Sequence, residues 1–472
     1  MSSISPEFID FIRQDIPKHI CFDEFITFCS KPLRRSIRIN TLKISCDQFI
    51  EHMMAKNWQF QSIPWCDDGY WITGHNDNNL GNCIEHLQGL FYIQEASSML
   101  PPTALFKDNL TANAVLDVAS APGSKTTQIA TLMKNEGLLI ANEYSSSRVK
   151  VLHANIERMG IHNCALTHFD GCVFGEYLYE TFDAILLDAP CGGEGTIRKD
   201  VNALKNWHQQ DIADIAEVQK SLIKSAFMAL KPGGTLVYST CTLNTHENQQ
   251  VCHYLKNTFP EAVTFNSLVD LFADAHLAIT EEGFLHVWPQ LYDSEGFFVA
   301  SITKTASVER TLPQPRKQKN FPFNSATAKQ TEAIYRYFQS TFNIELPKTQ
   351  HLMVRDNEYW LFPEGFDELV GKMRFQRIGI KLADEVKHGF KPKHEAIIAL
   401  ATDSKSFIEL DEAKAQSYLM GRDIEWSSTE AKGEVIVTYL NCPLGLAKLL
   451  PNKLKNNLPR ELVRDQACCI LK

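Results

Sequence analysis

The feature that most restricts the fold of this chain is a repeated strand-then-helix pattern that begins near residue 114. Short apolar runs read AVLDVAS, GLLIANE, CALTHFD, FDAILLDAP and GGTLVYSTCT, and helical segments such as SKTTQIATLMK and SSRVKVLHANIERMG lie between them. Apolar strands that alternate with helices need crossover connections, and therefore form a parallel sheet covered on both faces. We predict a Rossmann-like, doubly wound α/β domain that ends near residue 303.

The segments on either side of this pattern predict additional domains, because 472 residues are too many for one compact domain. Strand-like stretches such as GEVIVTYL and CPLGLAKLL make the C-terminal end β-rich. The predicted bounds are an α+β N-terminal extension over 1–105, the α/β domain over 106–303, a linker over 304–324, an intermediate domain over 325–388 and a β-rich domain over 389–472.

Charge is distributed unevenly along the chain, whose formal net charge is −9. Residues 1–300 carry 21 Lys and Arg against 35 Asp and Glu, a net charge of −14, whereas residues 301–472 carry 26 against 21, a net charge of +5. Attraction to phosphate depends on local charge, so the basic C-terminal part is compatible with RNA binding. The stretch LRRSIRINTLK also predicts a strand with one basic face, formed by Arg34, Arg35, Arg38 and Lys43.

Cysteine usage and hydropathy exclude several classes of protein. Apart from the adjacent pair Cys468 and Cys469, the 13 cysteines are scattered singly, and no C-x-x-C pair occurs, so we expect neither a disulfide framework nor a metal site. No apolar run approaches the ~20 residues of a membrane span, and the N-terminus lacks a basic start followed by an apolar stretch. We expect a cytoplasmic protein without membrane contact, and no pattern indicates an oligomer.

Residues at the strand ends predict a site for an adenosyl cofactor. Gly123 follows the first strand, where backbone can approach a ligand closely. The second strand ends at Glu143, which is suited to ribose hydroxyls, and the third ends at Asp170, which is positioned to read an adenine amino group. The loop lacks the glycines of G-x-G-x-x-G, and a serine separates Gly123 from Lys125 where a phosphate-binding P-loop has G-K-[ST]. S-adenosyl-L-methionine (SAM) is therefore favoured over a dinucleotide or a nucleoside triphosphate.

Two cysteines follow strands at the same edge of the predicted sheet. Cys191 lies in LLDAPCGGEGT and Cys241 lies in VYSTCTLNTHEN. A cysteine nucleophile suits methylation of carbon 5 of cytosine, because that carbon attacks a methyl group only after a thiolate adds to carbon 6. Asp188, as a neutral acid if burial raises its pKa, is a candidate for the contact with ring nitrogen 3, and Lys125 is a candidate for lowering a thiol pKa. Chemistry alone leaves open which cysteine is the nucleophile.

Five segments resemble the Nol1/Nop2/Sun family of RNA cytosine-5 methyltransferases. They are RINTLK (38–43), FYIQEASSMLPP (91–102), DVASAPGSKTTQIA (117–130), LLDAPCGGEGT (186–196) and LKPGGTLVYSTCTLNTHEN (230–248). The resemblance implies that Cys241 is the nucleophile and that Cys191 assists proton removal and release. It also implies cofactor contacts from the following residues: Ala119, Ser120, Ala121, Pro122, Gly123, Ser124, Lys125, Glu143, Asp170 and Asp188.

The C-terminal third resembles the PUA-like tail of bacterial members of this family that methylate one cytosine in the decoding region of 16S rRNA. The matching segments are FKPKHEAIIAL, YLMGRDI and PLGLAKLLPNKLKNNLPRELVR. Residues 372–393 form a basic segment, which would grip phosphates without reading sequence. Its cations, against only Asp384 and Glu385, are Lys372, Arg374, Arg377, Lys381, Lys387, Lys391 and Lys393. Because the acidic catalytic part would repel bare RNA, we expect 16S rRNA within the small ribosomal subunit as the partner.

Three other functions compete with this interpretation. The family also contains tRNA methyltransferases, and the catalytic motifs do not distinguish the two substrates. A ribosome-assembly factor that binds SAM and rRNA without catalysis is disfavoured, because both cysteines and the residues beside them are intact. An amino-group methyltransferase is disfavoured because the strand end DAPC lacks the aromatic residue that this chemistry generally uses.

Overall fold

The computed structural model confirms the predicted fold class, with an α/β methyltransferase domain between an α+β N-terminal domain and two C-terminal domains. No helix among the described residues is both long and apolar enough to cross a membrane. The structure describes residues 4–74, 80–107, 111–200, 202–205, 207–310, 313, 315–318, 320–401, 407–427 and 433–465.

The N-terminal domain is a four-stranded antiparallel sheet, in the order β2-β3-β1-β4, with short helices packed around it. Its core contains Phe49, Trp58 and Phe91. The elements are α1 (Pro6–Asp15), α2 (Phe22–Cys29), β1 (Ser36–Ile39), α3 (Cys46–Met54), β2 (Phe60–Ile63), β3 (Cys66–Ile72), α4 (Ile84–Leu87), β4 (Phe91–Ile93) and α5 (Leu100–Leu105).

The prediction that β1 has a basic face is wrong. β1 lies between two other strands and is buried along its whole length. The Arg38 guanidinium is fully buried, and its Nε donates to Gln94 Oε1 at 3.0 Å. Lys43 donates to two main-chain carbonyls, each at 2.8 Å. Sequence alternation does not reveal that the next domain covers this side of the strand, so of the four cations only Arg35 is exposed.

The α/β domain follows the predicted strand-and-helix alternation. Each amphipathic segment identified in the sequence becomes a helix that covers one face of the sheet. The elements are β5 (Ala114–Asp117), α6 (Ser124–Leu132), β6 (Leu138–Asn142), α7 (Ser146–Met159), β7 (Cys164–Thr167), α8 (Phe174–Tyr177), β8 (Phe182–Asp188), α9 (Gln209–Ala229), β9 (Leu230–Thr240), α10 (Gln249–Thr258), β10 (Val263–Asn266), β11 (Leu285–Val287), α11 (Pro289–Tyr292) and β12 (Phe297–Lys304).

The central sheet has the strand order β10-β12-β9-β8-β5-β6-β7, and five neighbouring strands from β9 to β7 run parallel. β12 runs antiparallel between β9 and β10, which the sequence pattern did not predict. One apolar cluster that includes Leu116 and Ile140 covers one face, and another that includes Val115 and Leu139 covers the other. The carboxyl ends of the parallel strands meet at one edge, where ligands bind in sheets of this type.

The C-terminal part contains two five-stranded sheets, in the orders β13-β14-β15-β17-β18 and β19-β21-β22-β23-β20. A two-residue strand, β16, lies in sequence between β15 and β17 of the first sheet, but it pairs with β7 and extends the central sheet. The elements are β13 (Asn324–Ser325), α12 (Ala328–Phe342), β14 (His351–Arg355), β15 (Glu358–Phe362), β16 (Arg377–Ile378), β17 (Ile380–Val386), β18 (Gly389–Pro392), α13 (His394–Leu400), β19 (Phe407–Glu409), α14 (Glu412–Leu419), β20 (Ile424–Glu425), β21 (Gly433–Tyr439), β22 (Cys442–Leu450) and β23 (Lys453–Asn456).

The start predicted for the last domain, residue 389, falls between two strands that pair with each other. β17 and β18 form an antiparallel hairpin in which Val386 is opposite Gly389. A boundary at 389 would split this hairpin and remove one strand from its sheet. We therefore propose that the intermediate domain continues through α13 and that the last domain begins between α13 and β19. The other domain bounds stay predictions.

Candidate active site

The loop after β5, residues 118–124, forms the cofactor loop predicted from the sequence. The Ser120 N–H donates to the Asn142 carbonyl at 2.8 Å, and the Ser120 hydroxyl donates to the Asp117 carbonyl at 2.9 Å. Gly123, at the start of α6, has a φ of 108°, and a Cβ there would lie 3.1 Å from Leu152. Only glycine adopts this left-handed conformation readily. The loop therefore presents main chain, rather than side chains, at the start of α6.

Glu143 and Asp170 lie at the ends of the two strands next to this loop, as predicted. Glu143 is buried, and its carboxylate accepts from the N–H groups of Ser145 (2.8 Å) and Ala121 (3.3 Å). Asp170 is exposed, and its carboxylate accepts from the N–H of Cys172 at 2.9 Å. Glu143 is thus fixed against the cofactor loop, where a carboxylate can accept from ribose hydroxyls.

Asp117, at the base of the cofactor loop, has an oxygen that the protein leaves unsatisfied. Its Oδ2 accepts from the Thr126 hydroxyl at 2.7 Å, whereas Oδ1 is buried without a hydrogen-bond partner among the described residues. Burial raises the pKa of Asp117 to about 7. A buried polar atom without a partner commonly marks the place of a ligand or water. With the glycine turn and the two carboxylates, this group fits a polar nucleoside cofactor such as SAM.

The structure brings the two predicted cysteines together at the same edge of the sheet. The Sγ atoms of Cys191 and Cys241 are 3.3 Å apart, within hydrogen-bonding distance for thiols. The hydrogen bond with Cys241, together with burial, raises the pKa of the Cys191 thiol well above its usual range. Cys191 is therefore favoured as a neutral thiol beside Cys241.

Lys125 and Asp188 form an ion pair in the same site. Lys125 Nζ lies 2.8 Å from Asp188 Oδ2, and the Ser239 hydroxyl donates to Asp188 Oδ1 at 2.8 Å. Burial lowers the pKa of Lys125, but the negative charges of Asp188 and Cys241 raise it above its ordinary value. Asp188 is thus held by the Lys125 ammonium group and the Ser239 hydroxyl, and its contact with ring nitrogen 3 stays a prediction.

A buried carboxylate that the sequence interpretation missed holds the chain after Cys241. Glu194 is fully buried, and one of its oxygens accepts from the N–H groups of Leu243 (3.0 Å) and Asn244 (2.9 Å). The other accepts from the indole N–H of Trp207 at 2.9 Å. The signal in the sequence was a glutamate between glycines in GGEGT, where no solvent-exposed role explains it.

A second missed carboxylate, Glu247, connects the two cysteine-bearing loops. Its Oε2 accepts from the N–H of Gly192 and from the Gln219 amide, each at 2.9 Å. Its Oε1 accepts from the Asn244 amide at 2.7 Å. Gly192 follows the first cysteine and Asn244 belongs to the loop of the second, so Glu247 fixes the position of one loop relative to the other.

Two further carboxylates, Glu95 and Glu295, are linked to Cys241 by hydrogen bonds. The Glu295 N–H donates to Glu95 Oε1 at 3.2 Å, the Gly296 N–H donates to the Gly195 carbonyl at 3.0 Å, and the Gly195 N–H donates to the Cys241 carbonyl at 2.9 Å. Burial and the charge of Glu95 raise the pKa of Glu295 to about 8. These contacts link the N-terminal domain to the nucleophile loop.

The basic segment 372–393 is less available to RNA than its composition predicts. Lys381 pairs with Glu358 and Asp384, Lys393 also pairs with Asp384, and Arg377 pairs with Glu157 at 3.6 Å. These three cations lie in or beside the strands of the segment, where acidic neighbours face them. Four of the seven cations form no ion pair with the described residues: Lys372, Arg374, Lys387 and Lys391.

One group of side chains outside this site has the composition of a metal site. Ligand atoms of His153, Glu157 and Glu395 lie within 4.8 Å of one another. Arg377 forms ion pairs with both glutamates. A guanidinium already balances these carboxylates, so we interpret the group as an ion-pair network between domains.

A doubly wound sheet with a single-glycine loop, carboxylates on successive strand ends and two adjoining thiols defines a class of protein. The chain is a SAM-dependent methyltransferase with two thiols in contact at one edge of its central sheet.

Comparison with known proteins narrows this class. Four family models match in order along the chain: the N-terminal domain of 16S rRNA methyltransferase RsmF (residues 4–96), 16S rRNA methyltransferase RsmB/F (105–303), the pre-PUA domain of ribosomal RNA small subunit methyltransferase F (323–400) and the methyltransferase RsmF PUA domain (405–464).

Full-length relatives lead to the same family. Ribosomal RNA small subunit methyltransferase F of Shewanella oneidensis is 62% identical over 99% of this chain and 98% of its own length. The protein of the same name from Shewanella baltica is 63% identical over the same shares. The chain therefore belongs to the RsmB/F family of 16S rRNA methyltransferases, which confirms the family resemblance found in the sequence.

Solved structures show the same fold in the first two thirds of the chain. A methyltransferase homolog protein from Pyrococcus horikoshii matches with a TM-score of 0.53 and 34% identity, over 64% of this chain and 100% of that one. NSun6 from Pyrococcus horikoshii with SFG matches with a TM-score of 0.56 and 21% identity, over 64% and 99% of the two chains, and shows the fold alone.

Proposed function

We propose that this protein methylates carbon 5 of one cytosine in 16S rRNA, with Cys241 as the nucleophile. The observation that carries the proposal is the meeting of two thiols, 3.3 Å apart, beside the ion pair of Lys125 and Asp188. A thiol pair of this kind has no purpose in simple transfer to an amino group, whereas carbon 5 of cytosine requires covalent activation.

The reaction begins when the Cys241 thiolate adds to carbon 6 of the target base. A new S–C6 bond forms, and the electron pair of the C5–C6 double bond makes carbon 5 nucleophilic. The proton that leaves the Cys241 thiol passes through the Asp188 carboxylate to nitrogen 3, and Asp188 then accepts a hydrogen bond from the new N3–H group. Lys125 holds the Asp188 carboxylate in place and favours the thiolate of Cys241 through its positive charge.

SAM, when bound, supplies the electrophilic methyl group that carbon 5 takes. The proton on carbon 5 must then leave so that the S–C6 bond can break and restore the double bond. We assign this step to Cys191, because its neutral thiol lies against Cys241 and hence beside the C5–C6 bond. As the S–C6 bond breaks, the Cys191 thiol donates its proton to the departing Cys241 sulfur, and the Cys191 sulfur accepts the proton of carbon 5. The release of Cys241 completes the cycle.

The cofactor residues proposed from the sequence have positions that suit this reaction. We propose that Glu143 accepts from the ribose hydroxyls, that Asp170 accepts from the adenine amino group, and that the segment from Ala119 through Ser124 lines the cofactor with main-chain groups. Lys125 and Asp188 lie at the other end of this segment, next to Cys241. The donor methyl group is thereby directed toward the cysteine pair.

The proposed substrate is 16S rRNA in the small ribosomal subunit, in its decoding region, and the proposed location is the cytoplasm, where subunits are assembled. The relatives' names support the rRNA, and the family resemblance supports the decoding region. The unpaired cations of segment 372–393 supply phosphate contacts outside the acidic residues 1–300. Because residues 1–300 carry a net charge of −14, docking on an assembled subunit is favoured over bare RNA.

Trapping with 5-fluorocytosine tests the chemistry. Fluorine at carbon 5 cannot leave as a proton would, so methylated adducts stay covalently attached to the enzyme. We expect a SAM-dependent adduct with the wild-type protein and with Cys191→Ala, and none with Cys241→Ala. An adduct with Cys241→Ala but not with Cys191→Ala would reverse the two roles. No adduct with any form would favour a non-catalytic assembly factor.

A second assay tests the substrate. Purified small subunits, deproteinised 16S rRNA and bulk tRNA are incubated separately with the protein and labelled SAM. We expect methylation of small subunits at least ~10-fold faster than of deproteinised rRNA at moderate salt. Equal rates on bare rRNA would contradict the preference for an assembled substrate, and preferential labelling of tRNA would replace rRNA as the substrate.

A further inference from the structure

A cavity lies beside the candidate active site, between the N-terminal sheet and the segment that follows Glu194. Its volume is about 340 Å³, within the range of small-ligand pockets. We call it the side pocket. Its lining combines one carboxylate, Glu95, with apolar and cationic side chains, namely Leu33, Leu80, Ile93, Arg34, Arg35 and Lys199. The mechanism above uses none of them.

The three cations of the side pocket differ in their surroundings: one is held by other side chains, and two are exposed. Arg34 is fixed, because it forms an ion pair with Asp293 at 2.9 Å and stacks on Trp71 at 3.7 Å. Arg35 and Lys199 are exposed. They come from different domains, so a phosphate between them would be held from two sides.

The apolar part of the side pocket suits the face of a base. Ile93 ends β4 and leaves 40% of its surface exposed, which is unusual for a large aliphatic side chain in a strand. Leu33 is half-buried, and Leu80 is buried. An exposed aliphatic surface next to cations has the composition expected where a nucleotide binds, with the base against carbon and the phosphate at the charges.

A short series of hydrogen bonds links the lining of the side pocket to the loop of Cys241. Glu95 forms part of its lining, and its carboxylate accepts from the Glu295 N–H. The next residue, Gly296, donates to the Gly195 carbonyl, and the Gly195 N–H donates to the carbonyl of Cys241. The pocket is therefore close enough to the cysteine pair for one RNA strand to reach both places.

We propose that the side pocket binds a nucleotide that flanks the target cytosine, with its base on Ile93 and Leu33 and its phosphate between Arg35 and Lys199. This inference rests on the proposed function and adds a second contact point on the RNA. A flanking nucleotide held here would fix the direction of the strand and leave the target base turned toward Cys241. The side pocket would then contribute to the choice of cytosine.

Photochemical cross-linking in the trapped complex tests the position. The full-length protein is incubated with SAM and 16S rRNA that carries 5-fluorocytosine at the target and 4-thiouridine at one flanking position. After the covalent adduct forms, irradiation should join the thiouridine to residues 33–35, Ile93 or Lys199, as mapped by mass spectrometry of the peptides. A trapped adduct whose cross-links lie only elsewhere would overturn the inference while leaving the proposed function intact.

Affinity measurements test the pocket without any trapping. We expect Lys199→Ala to weaken binding of 16S rRNA by ~5-fold and to lower the salt dependence of binding by about one phosphate contact. Ile93→Ala should raise KM for RNA by ~3-fold, with SAM affinity unchanged. Lys205→Ala, an exposed lysine a short distance along the same segment, is the matched control. If Lys199→Ala and Lys205→Ala bind RNA alike, with the same salt dependence, the inference fails, whether or not an adduct forms.

Discussion

The two halves of the strand-end edge are organised by different means. In the cofactor half, Asn142 donates to the carbonyls of Val118 and Phe169, each at 3.0 Å, and the buried carboxylate of Glu143 accepts from two N–H groups. In the cysteine half, buried carboxylates hold the loops, with Glu194 and Glu247 each accepting three or more hydrogen bonds.

The difference follows from what each half must do. A cofactor site binds one rigid ligand, and a loop set by its own backbone is sufficient. In the proposed mechanism, the cysteine half must hold two sulfur atoms in contact while one of them forms and breaks a covalent bond. Buried carboxylates that accept from several N–H groups are strong, directional supports for such a site, and losing one leaves donors unsatisfied.

The substitution Glu194→Gln removes hydrogen bonds that support the cysteine half, and we expect it to have the largest effect on activity. The amide nitrogen of Gln must face at least one of the N–H donors of Leu243, Asn244 or Trp207, so the loop of Cys241 shifts. We expect kcat to fall by ~100-fold, with the affinity for SAM within ~2-fold of wild type. Single-turnover methylation and SAM titration measure the two values. Glu217→Gln, an exposed carboxylate on α9, serves as the control, and equal activity of both variants would contradict this account.

The substitution Asn142→Ala removes hydrogen bonds that support the cofactor half, and we expect a smaller effect, on SAM binding rather than on catalysis. Loss of both amide bonds loosens the cofactor loop from the segment before Asp170, so the Kd for SAM should rise by ~10-fold. At saturating SAM, trapping by Cys241 should stay close to the wild-type rate. Asn135→Ala removes another buried asparagine, which donates to the Gly160 carbonyl at 3.1 Å. If Asn135→Ala weakens SAM binding equally, the effect is one of general stability.

Glu295→Gln provides the smallest effect and tests the cost of burying carboxylates. Burial and Glu95 raise the pKa of Glu295 to about 8, so the folded protein holds a proton that the unfolded chain, with an ordinary glutamate pKa, has released. The free energy of unfolding should therefore decrease as pH rises from about 4.5 to about 8. Gln carries no such charge, so this decrease should shrink by about 1–3 kcal/mol in the variant.

Thermal unfolding between pH 5 and pH 8 measures this difference. We expect Glu295→Gln to lose less thermal stability across the interval than the wild-type protein, by ~2–5 °C. Glu136→Gln, an exposed carboxylate in the same domain, should show the wild-type pH dependence. A pH dependence that is identical in all three proteins would show that Glu295 ionises normally.

The same contrast explains which parts of the site could be predicted from sequence. Strand ends are local features, and β8 and β9 pair so that Asp188 is opposite Ser239, which brings the following cysteines together. Glu194 and Glu247 gave no periodic signal, because their role depends on how two loops fold onto each other. Cys241 was chosen over Cys191 by family resemblance, and this choice stays a prediction.

Other differences between prediction and structure arose because a local sequence pattern does not show which residues pack against it. The alternation around Arg38 predicted an exposed basic face, but a second domain covers that face and buries the guanidinium. The count of cations in segment 372–393 was correct, but Lys381 and Lys393 both form ion pairs with the same carboxylate, Asp384. Composition states which charges are present, and only the fold states which of them are already neutralised.

The short strand β16 has a consequence for how the protein can be handled. A sheet ending in β7 would expose a row of unpaired main-chain N–H and carbonyl groups, which promotes association between molecules. Arg377 and Ile378 cover this border by pairing with Leu166 and Ala165. Cutting the chain after residue 303 to isolate the catalytic domain would uncover the border, so the shortened protein should aggregate, and adding back residues up to 400 should restore a monodisperse sample.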